Sequence, residues 1–430
     1  MVEAHLDRIA KFDPGIHAFQ AVRPDDVREE ARALALRADL RELPLAGVPV
    51  AIKDNVDMAG YPTRYGTLAS SEEPAAADDE LVRRLRQAGA VPLGKTTMSE
   101  LALVPLTETA AFGTTRNPWN PGHTPGGSTG GGAAAVTAAM APLALGADNG
   151  GSIRIPASCC GLVGIKPGPG VVPFPRGRST WAGMAEFGPL ATTVTDLALM
   201  LDVLAGADAY RRVEPPGRSL RIATSTASPT VGVKLQPEVE RCLEATAEAL
   251  GGAGHTVVAA DPPYRRTDTF PFLQRAFVGG AEDADGLRLE ALERRTRSWV
   301  RIGRWLRRNR PPSPATAEAV RGRFQRWFSE GGYDVLLTPT LATVPPRIGV
   351  YQGRGLWSTI LGLTGFIPFP PLHNLIGFPA MSVPAGRSPE GLPIGVQLAA
   401  PRGCEALLLS VARQLEIIQP WPRHAPVGQS

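Results

Sequence analysis

Apolar residues fall along this chain in short runs, each with a readable period, set apart by Gly- and Pro-rich breaks. The run LAGVPVAIKDN (45–55) is almost continuously apolar up to Lys53, which predicts a buried strand ending at the lysine. A helix is predicted over 78–88, with the strand AVPLGK directly after it. GGGAAAVTAAMAP (130–142) predicts a helix of small residues opened by a glycine loop, and Pro142 divides the apolar stretch 133–147 into that helix and a following strand. Over 193–206 apolar residues recur at three- and four-residue spacing, as in a packed helix. Segments 219–226, 233–254 and 255–261 read as strand, helix and strand. Further strands are predicted in 332–340, 378–386 and 391–401, and helices over 2–11 and 24–40. This alternation predicts a single α/β layered domain spanning 1–430, without internal repeats. The Pro- and Arg-rich stretch 211–218 is expected to join two halves of one sheet.

Composition narrows the function classes. A chain of 430 residues can bury a large core, and its 47 Gly and 42 Pro stay below the level of low-complexity sequence. Aromatic residues make up only 6%, too few for a base-stacking surface, so no nucleic-acid partner is expected. The net charge is a modest +4, carried almost wholly by arginine; only Lys11, Lys53, Lys95, Lys166 and Lys234 are lysines. Cys159, Cys160, Cys242 and Cys404 show neither a disulfide framework nor metal-ligand spacing, so no metal or cofactor is expected. The longest apolar run is shorter than a membrane span, and no charged-then-apolar leader opens the chain. A cytoplasmic protein is the expectation.

Three segments carry candidate chemistry. ALGADNGGSIRIPASCCG (144–161) places Ser152 behind two glycines, in a loop able to bare backbone N–H groups. Acyl transfer needs that combination, because the tetrahedral intermediate develops negative charge beside the attacked carbon. TPGGSTGGG adds Ser128, and GVPVAIKDN adds Lys53. Each alone has a plainer reading. Ser128 could cap the helix that follows, and buried lysines mostly pair with carboxylates such as the nearby Asp54 and Asp57. Together each supplies a part the others need, and the set suggests a Ser–Ser–Lys hydrolase.

Two competing motifs carry less. GAVPLGKT (89–96) satisfies the P-loop pattern, but Ala-Val-Pro-Leu reads as a strand rather than a flexible loop and Pro92 removes a donor from the nest. Lys95 is therefore expected to be structural. The Arg-rich stretch 291–310 sets Leu292, Trp299, Ile302 and Leu306 on one helical stripe. A solvated helix capping the domain is the expectation, ahead of a membrane-surface or nucleic-acid helix.

In these segments and their order, the chain resembles the amidase signature family. GVPVAIKDNVD, TRNPWNPGHTPGGSTGG, ADNGGSIRIPASCCGLVGIKP, FGPLATTVTDLALMLDVLAG and PLHNLIGFPAMSVPAGRSPEGLPIGVQLAA match its blocks in order, over nearly the whole chain. The resemblance implies an α/β/α fold with a mixed central sheet, a core motif block over about 45–205, and a variable cap at the substrate entrance over about 262–330. It implies Ser152 as nucleophile, Ser128 as proton-relaying serine after a cis Gly127–Ser128 peptide, and Lys53 as base. Backbone N–H groups of Asn149, Gly150, Gly151 and Ser152 would form the oxyanion hole. Asp148 and Arg154 would brace the loop, and Thr129 stands where the family usually has serine. The chain also opens later than is usual, without all or part of a first helix, and Gly168, Pro169, Gly170 and Val171 replace the family's usual Thr and Gly-Arg after GIKP.

The implied reaction is hydrolysis of a small, apolar amide, with aryl amides and carbamates chemically close. The glutaminase subunit of a tRNA amidotransferase shares the blocks but usually carries Gln where Ile155 stands. A non-catalytic binding module on the same fold is disfavoured by the complete Lys/Ser/Ser set. Ile155, Phe174, Trp181 and Trp299 are the expected pocket walls, with Trp299 and Trp305 on the helix that closes the entrance; assembly as a homodimer is left open.

Overall fold

The computed structural model describes residues 1–174 and 179–428. Eleven strands form one mixed sheet: β1 (Phe19–Val22), β2 (Pro49–Lys53), β3 (Val91–Thr96), β6 (Leu143–Asp148), β7 (Val163–Lys166), β8 (Glu186–Ala191), β9 (Arg221–Thr224), β10 (Thr256–Ala259), β11 (Val335–Pro339), β12 (Ala380–Arg387) and β13 (Pro393–Ala399). Their order is β1-β3-β2-β6-β8-β7-β12-β13-β11-β9-β10, and a small hairpin, β4 (Glu108–Thr109) with β5 (Gly113–Thr114), stands apart. Strands preceding residue 192 build one half of the sheet and those from 221 the other. The antiparallel β7–β12 pair joins the halves, and 211–218 lies in the connection between them.

Helices cover both faces. They are α1 (Val2–Ile16), α2 (Pro24–Ala35), α3 (Glu80–Gln87), α4 (Gly130–Thr137), α5 (Arg154–Cys160), α6 (Val194–Ala205), α7 (Pro237–Gly252), α8 (Thr269–Asp283), α9 (Arg294–Asn309), α10 (Pro314–Gly331), α11 (Leu356–Thr364), α12 (Pro370–Ile376) and α13 (Glu405–Ile418). Full coverage explains the unbroken apolar runs: every residue of β2, β3, β6 and β7 is buried. GAVPLGKT is thus largely strand, and Lys95 pairs with Asp54 at 3.1 Å inside the core. The packed helix over 193–206 is α6, which begins where Thr193 Oγ1 accepts from Asp196 N and ends at left-handed Gly206. Several predicted boundaries shift: α2 ends at Ala35 and α4 at Thr137, each short of its predicted end. α1 continues five residues beyond position 11, through Pro14, until His17 turns left-handed and Asp13 Oδ1 accepts from Ala18 N at 2.6 Å. α7 starts at Pro237, whose missing N–H is harmless at a first helical position.

Small residues in α4 answer to packing. A Cβ on Gly131 would lie 2.3 Å from Thr97 Oγ1 and 2.5 Å from Ala18 O, so only glycine lets this helix lie against the chain there and present Ser128 at its entry. Helices α8 and α9 form a close pair. Trp299 and Val300 of α9 are buried, whereas its arginines lie mostly outside. The apolar stripe of this basic helix is therefore spent within the protein. Among the described residues no helix is long and apolar enough to cross a membrane.

The α8–α9 contact gives a stability test. A Cβ on Gly303 would fall 1.9 Å from Phe277 O, so Gly303→Ala must push the helices apart and is expected to destabilise by about 1–3 kcal/mol. Gly251→Ala, in α7 with nothing within 4 Å, is expected to stabilise by about 0.5–1 kcal/mol. Thermal unfolding of the two variants should move in opposite directions; equal midpoints would refute the packing argument.

Candidate active site

Parallel strands β2 and β3 end side by side, with Lys53 opposite Thr96 and Ile52 opposite Lys95. Both lysines are fully buried, yet their surroundings differ. Lys95 faces the Asp54 carboxylate and also donates to Val56 O at 2.7 Å. Lys53 Nζ donates instead to Ser128 Oγ at 2.7 Å and to Ala147 O at 3.1 Å, and among the described residues it has no ion-pair partner. Burial lowers its pKa to about 7, against the weaker pull of the Asp148 and Asp283 charges. A lysine in this position carries a lone pair near neutral pH.

Ser128 follows a cis peptide from Gly127. Thr129 N donates to Ser152 O at 3.2 Å and Thr129 Oγ1 to Ala147 O at 3.2 Å, which fixes the two serine-bearing loops to one another and to β6. Among the described residues Ser152 Oγ takes part in no hydrogen bond; in unliganded sites such contacts are often long and close when substrate binds. Lys53, Ser128 and Ser152 thus come together from β2, the loop before α4 and the loop before α5.

The loop before α5 is held from inside by a carboxylate. Asp148 accepts from Gly151 N at 2.6 Å and Ile153 N at 3.2 Å. Its oxygens also meet Arg154 Nε and Nη2, each at 3.0 Å. Burial opposes ionisation of Asp148, but the Arg154 guanidinium and its hydrogen bonds outweigh it and hold the carboxyl well below the usual range. One expected oxyanion-hole donor is already engaged: Gly151 N–H donates to Asp148. Among the described residues the N–H groups of Asn149, Gly150 and Ser152 make no hydrogen bond. Gly151 serves the geometry instead, with φ +119° and a would-be Cβ 2.6 Å from Pro370.

The brace extends to residues without a sequence-based role. Arg154 Nη1 donates to Gln397 Oε1 at 2.7 Å and Pro370 O at 2.9 Å, and Arg154 Nη2 to Asn374 Oδ1 at 2.5 Å. Asn374 Nδ2 returns to Asp148 Oδ1 at 2.9 Å and Met184 O at 3.1 Å. The available signal was one buried amide in each of two apolar blocks, PLHNLIGFP and PIGVQLAA.

Ser152, Asn149 and Gly150 open onto a cavity of about 140 Å³. Ile155, Trp181 and Trp299 are in its wall, as is Phe272 of α8. Phe174 is not in that wall: its half-buried ring meets Phe187 edge-on at 5.3 Å and packs against both the core beside β8 and the cluster that holds Trp181. Trp305 points out of the cap, about half exposed. Between the expected walls Phe174 and Trp181, residues 175–178 lie outside the described residues. Charged residues at the cavity are paired within the protein. Arg295 meets Glu293 at 3.0 Å, Asp268 meets Arg323 at 2.5 Å, and Glu100 accepts from Thr67 Oγ1 at 2.7 Å and Glu293 N at 3.0 Å. Among the described residues no group of three or more His, Cys, Asp or Glu is placed to hold a metal.

Known proteins are similar to this chain over nearly its whole length. The amidase family model matches residues 1–409. AmiB2 of Mycobacterium tuberculosis, named an amidase, is 43% identical over 436 residues, covering 99% of this chain and 94% of that protein. The structure of 6-aminohexanoate cyclic dimer hydrolase superposes with a TM-score of 0.87 at 31% identity, covering 99% of this chain and 94% of the other. A glutamyl-tRNA(Gln) amidotransferase structure from Thermotoga maritima gives 0.77 at 27% identity, covering 99% of this chain and 94% of the other. From strand order to the loops around Ser128 and Ser152, this chain belongs to the amidase signature family, whose members hydrolyse carbon–nitrogen bonds.

Proposed function

We propose that this amidohydrolase cleaves small, uncharged, apolar amides through an acyl-enzyme on Ser152. The observation that carries the reading is the 2.7 Å contact with Ser128 of a buried Lys53 that has no ion-pair partner among the described residues. Neutral Lys53 accepts the Ser128 Oγ proton while Ser128 accepts that of Ser152, and Ser152 Oγ attacks the carbonyl carbon. The oxyanion meets the free N–H groups of Asn149, Gly150 and Ser152, donors of a kind worth about 10²–10³-fold in rate each. As the C–N bond breaks, the proton returns through Ser128 to the leaving nitrogen. Water, deprotonated by the same relay, then releases the acid and restores the hydroxyls. Aryl amides and carbamates offer the same carbon and leaving group.

Substrate preference follows from the cavity. Its walls are largely apolar, Arg295 and Asp268 are ion-paired and Glu100 is hydrogen-bonded within the protein, and Ile155 offers no amide to a glutamine side chain. A polar side chain buried there without partners loses roughly 1–3 kcal/mol per group. This disfavours the amidotransferase reading.

Three outcomes are expected. Ser152→Ala abolishes turnover, by more than about 10³-fold, and removes labelling by a fluorophosphonate probe while the thermal midpoint stays near the parent's; labelling that persists would move the nucleophile elsewhere. With Lys53 as a base titrating near pH 7, kcat/KM should fall tenfold per unit below about pH 7 and level off above it. Lys53→Ala retaining parental kcat at pH 8 would remove the base. On the purified chain, kcat/KM for a neutral aryl amide should exceed that for glutamine at least tenfold; the reverse order would favour the amidotransferase reading.

A further inference from the structure

Trp181 stands out among the cavity residues. Its φ is +50° and that of Ala182 is +51°, a left-handed pair of non-glycine residues. Such a conformation costs on the order of 1–3 kcal/mol per residue and persists where the surroundings over-determine it. They do so here from one helix. Trp181 Nε1 donates to Asp283 Oδ2 at 2.6 Å, and Trp181 N donates to Ser179 Oγ, itself bonded to Glu282 Oε2 at 2.6 Å. Gly279 makes the fit close: a Cβ there would lie 2.5 Å from the indole Cγ and 2.8 Å from Trp181 Cα. The indole is therefore fixed flush against α8 through Asp283, Glu282 and Gly279, while the residue lines the cavity that holds Ser152.

We propose that Trp181, locked by Asp283, is the specificity-determining wall of this site, and that it selects substrates with an uncharged planar aromatic ring beside the scissile amide. Trp181 is held from α8 before any substrate arrives, so an aromatic ring that meets the small uncovered part of the indole does so without ordering that side chain. An aromatic pair of this kind adds roughly 2- to 10-fold over a saturated ring of equal size. Asp283 acts as a positioning residue, through the indole N–H.

The inference rests on the amide-hydrolase reading for turnover but has a binding arm of its own. Two pairs exchange a phenyl for a cyclohexyl ring, benzamide against cyclohexanecarboxamide and acetanilide against N-cyclohexylacetamide; their intrinsic reactivities differ, so each ratio is compared between variant and parent. The ratio of kcat/KM within a pair cancels general damage to the enzyme. In Trp181→Leu the aromatic preference should fall about 3- to 10-fold in at least one pair. Trp181→Phe should keep most of that preference, and Asp283→Ala should lower it through KM rather than kcat. The same ratios read as Kd in the Ser152→Ala protein, where nothing is cleaved, should shift in parallel. Fluorophosphonate labelling of each variant with intact Ser152 reports that the site is still assembled. A ratio unchanged in Trp181→Leu, in turnover and in binding, overturns the proposal. Binding ratios that shift as expected while the parent cleaves no amide would leave the aromatic wall standing and refute the hydrolase reading instead.

Discussion

The buried ion pair between Asp148 and Arg154 organises more of this molecule than any other contact. Asp148 ends β6 in the first half of the sheet, and Arg154 opens α5. Through Gln397 on β13, and Asn374 and Pro370 on α12, the pair reaches into the second half. Two charges out of water are tolerated because nearly every polar edge is satisfied, and removing one partner would strand the other. The same oxygens set the course of the loop at Gly151 and Ile153. The contacts that join the halves therefore also shape the loop that carries Ser152.

A second constraint is the unequal treatment of neighbouring lysines. Lys95 and Lys53 end adjacent parallel strands and are equally buried, but one is given a carboxylate and the other a hydroxyl. Desolvation acts on both. Only where no counter-ion repays it does the proton become mobile near neutrality. The two lysines thus differ by what lies opposite the ammonium, not by burial.

Much of this was legible in the sequence. Strands covered on both faces announce themselves as apolar runs, and α6 by its period and its Thr/Gly ends. Lys53, Ser128 and Ser152 stood out because each sits at a strand end or a glycine loop. The long-range parts did not show. Asn374 and Gln397 are polar residues in apolar segments, and only folding reveals that both meet Arg154 more than two hundred residues away. The occupied N–H of Gly151 depends on which way one carboxylate turns, and the position of Phe174 on whether its ring joins the core or the cavity. Helices α8, α11 and α12, which shape the cavity, carry Gly and Pro that blur their period; their helicity follows from packing over the sheet. The helix α13 lies outside the predicted set, although Leu408, Leu409, Val411, Ala412 and Leu415 stand at helical spacing.

The two halves of the sheet also divide the chain's inheritance. Lys53, Ser128, Asp148, Ser152 and Arg154 all lie within one hundred-odd residues, whereas Phe272, Trp299 and the α11 wall come from a later stretch. A crossover between β8 and α8 would transplant the α8, α9 and α11 walls of the cavity and leave Lys53, Ser128, Ser152 and the walls at Ile155 and Trp181 in place. Change in those later walls and retention of the loops around Lys53, Ser128 and Ser152 can then proceed on separate segments of one gene, with the α12 and β13 contacts to Arg154 as the seam that any such exchange must preserve.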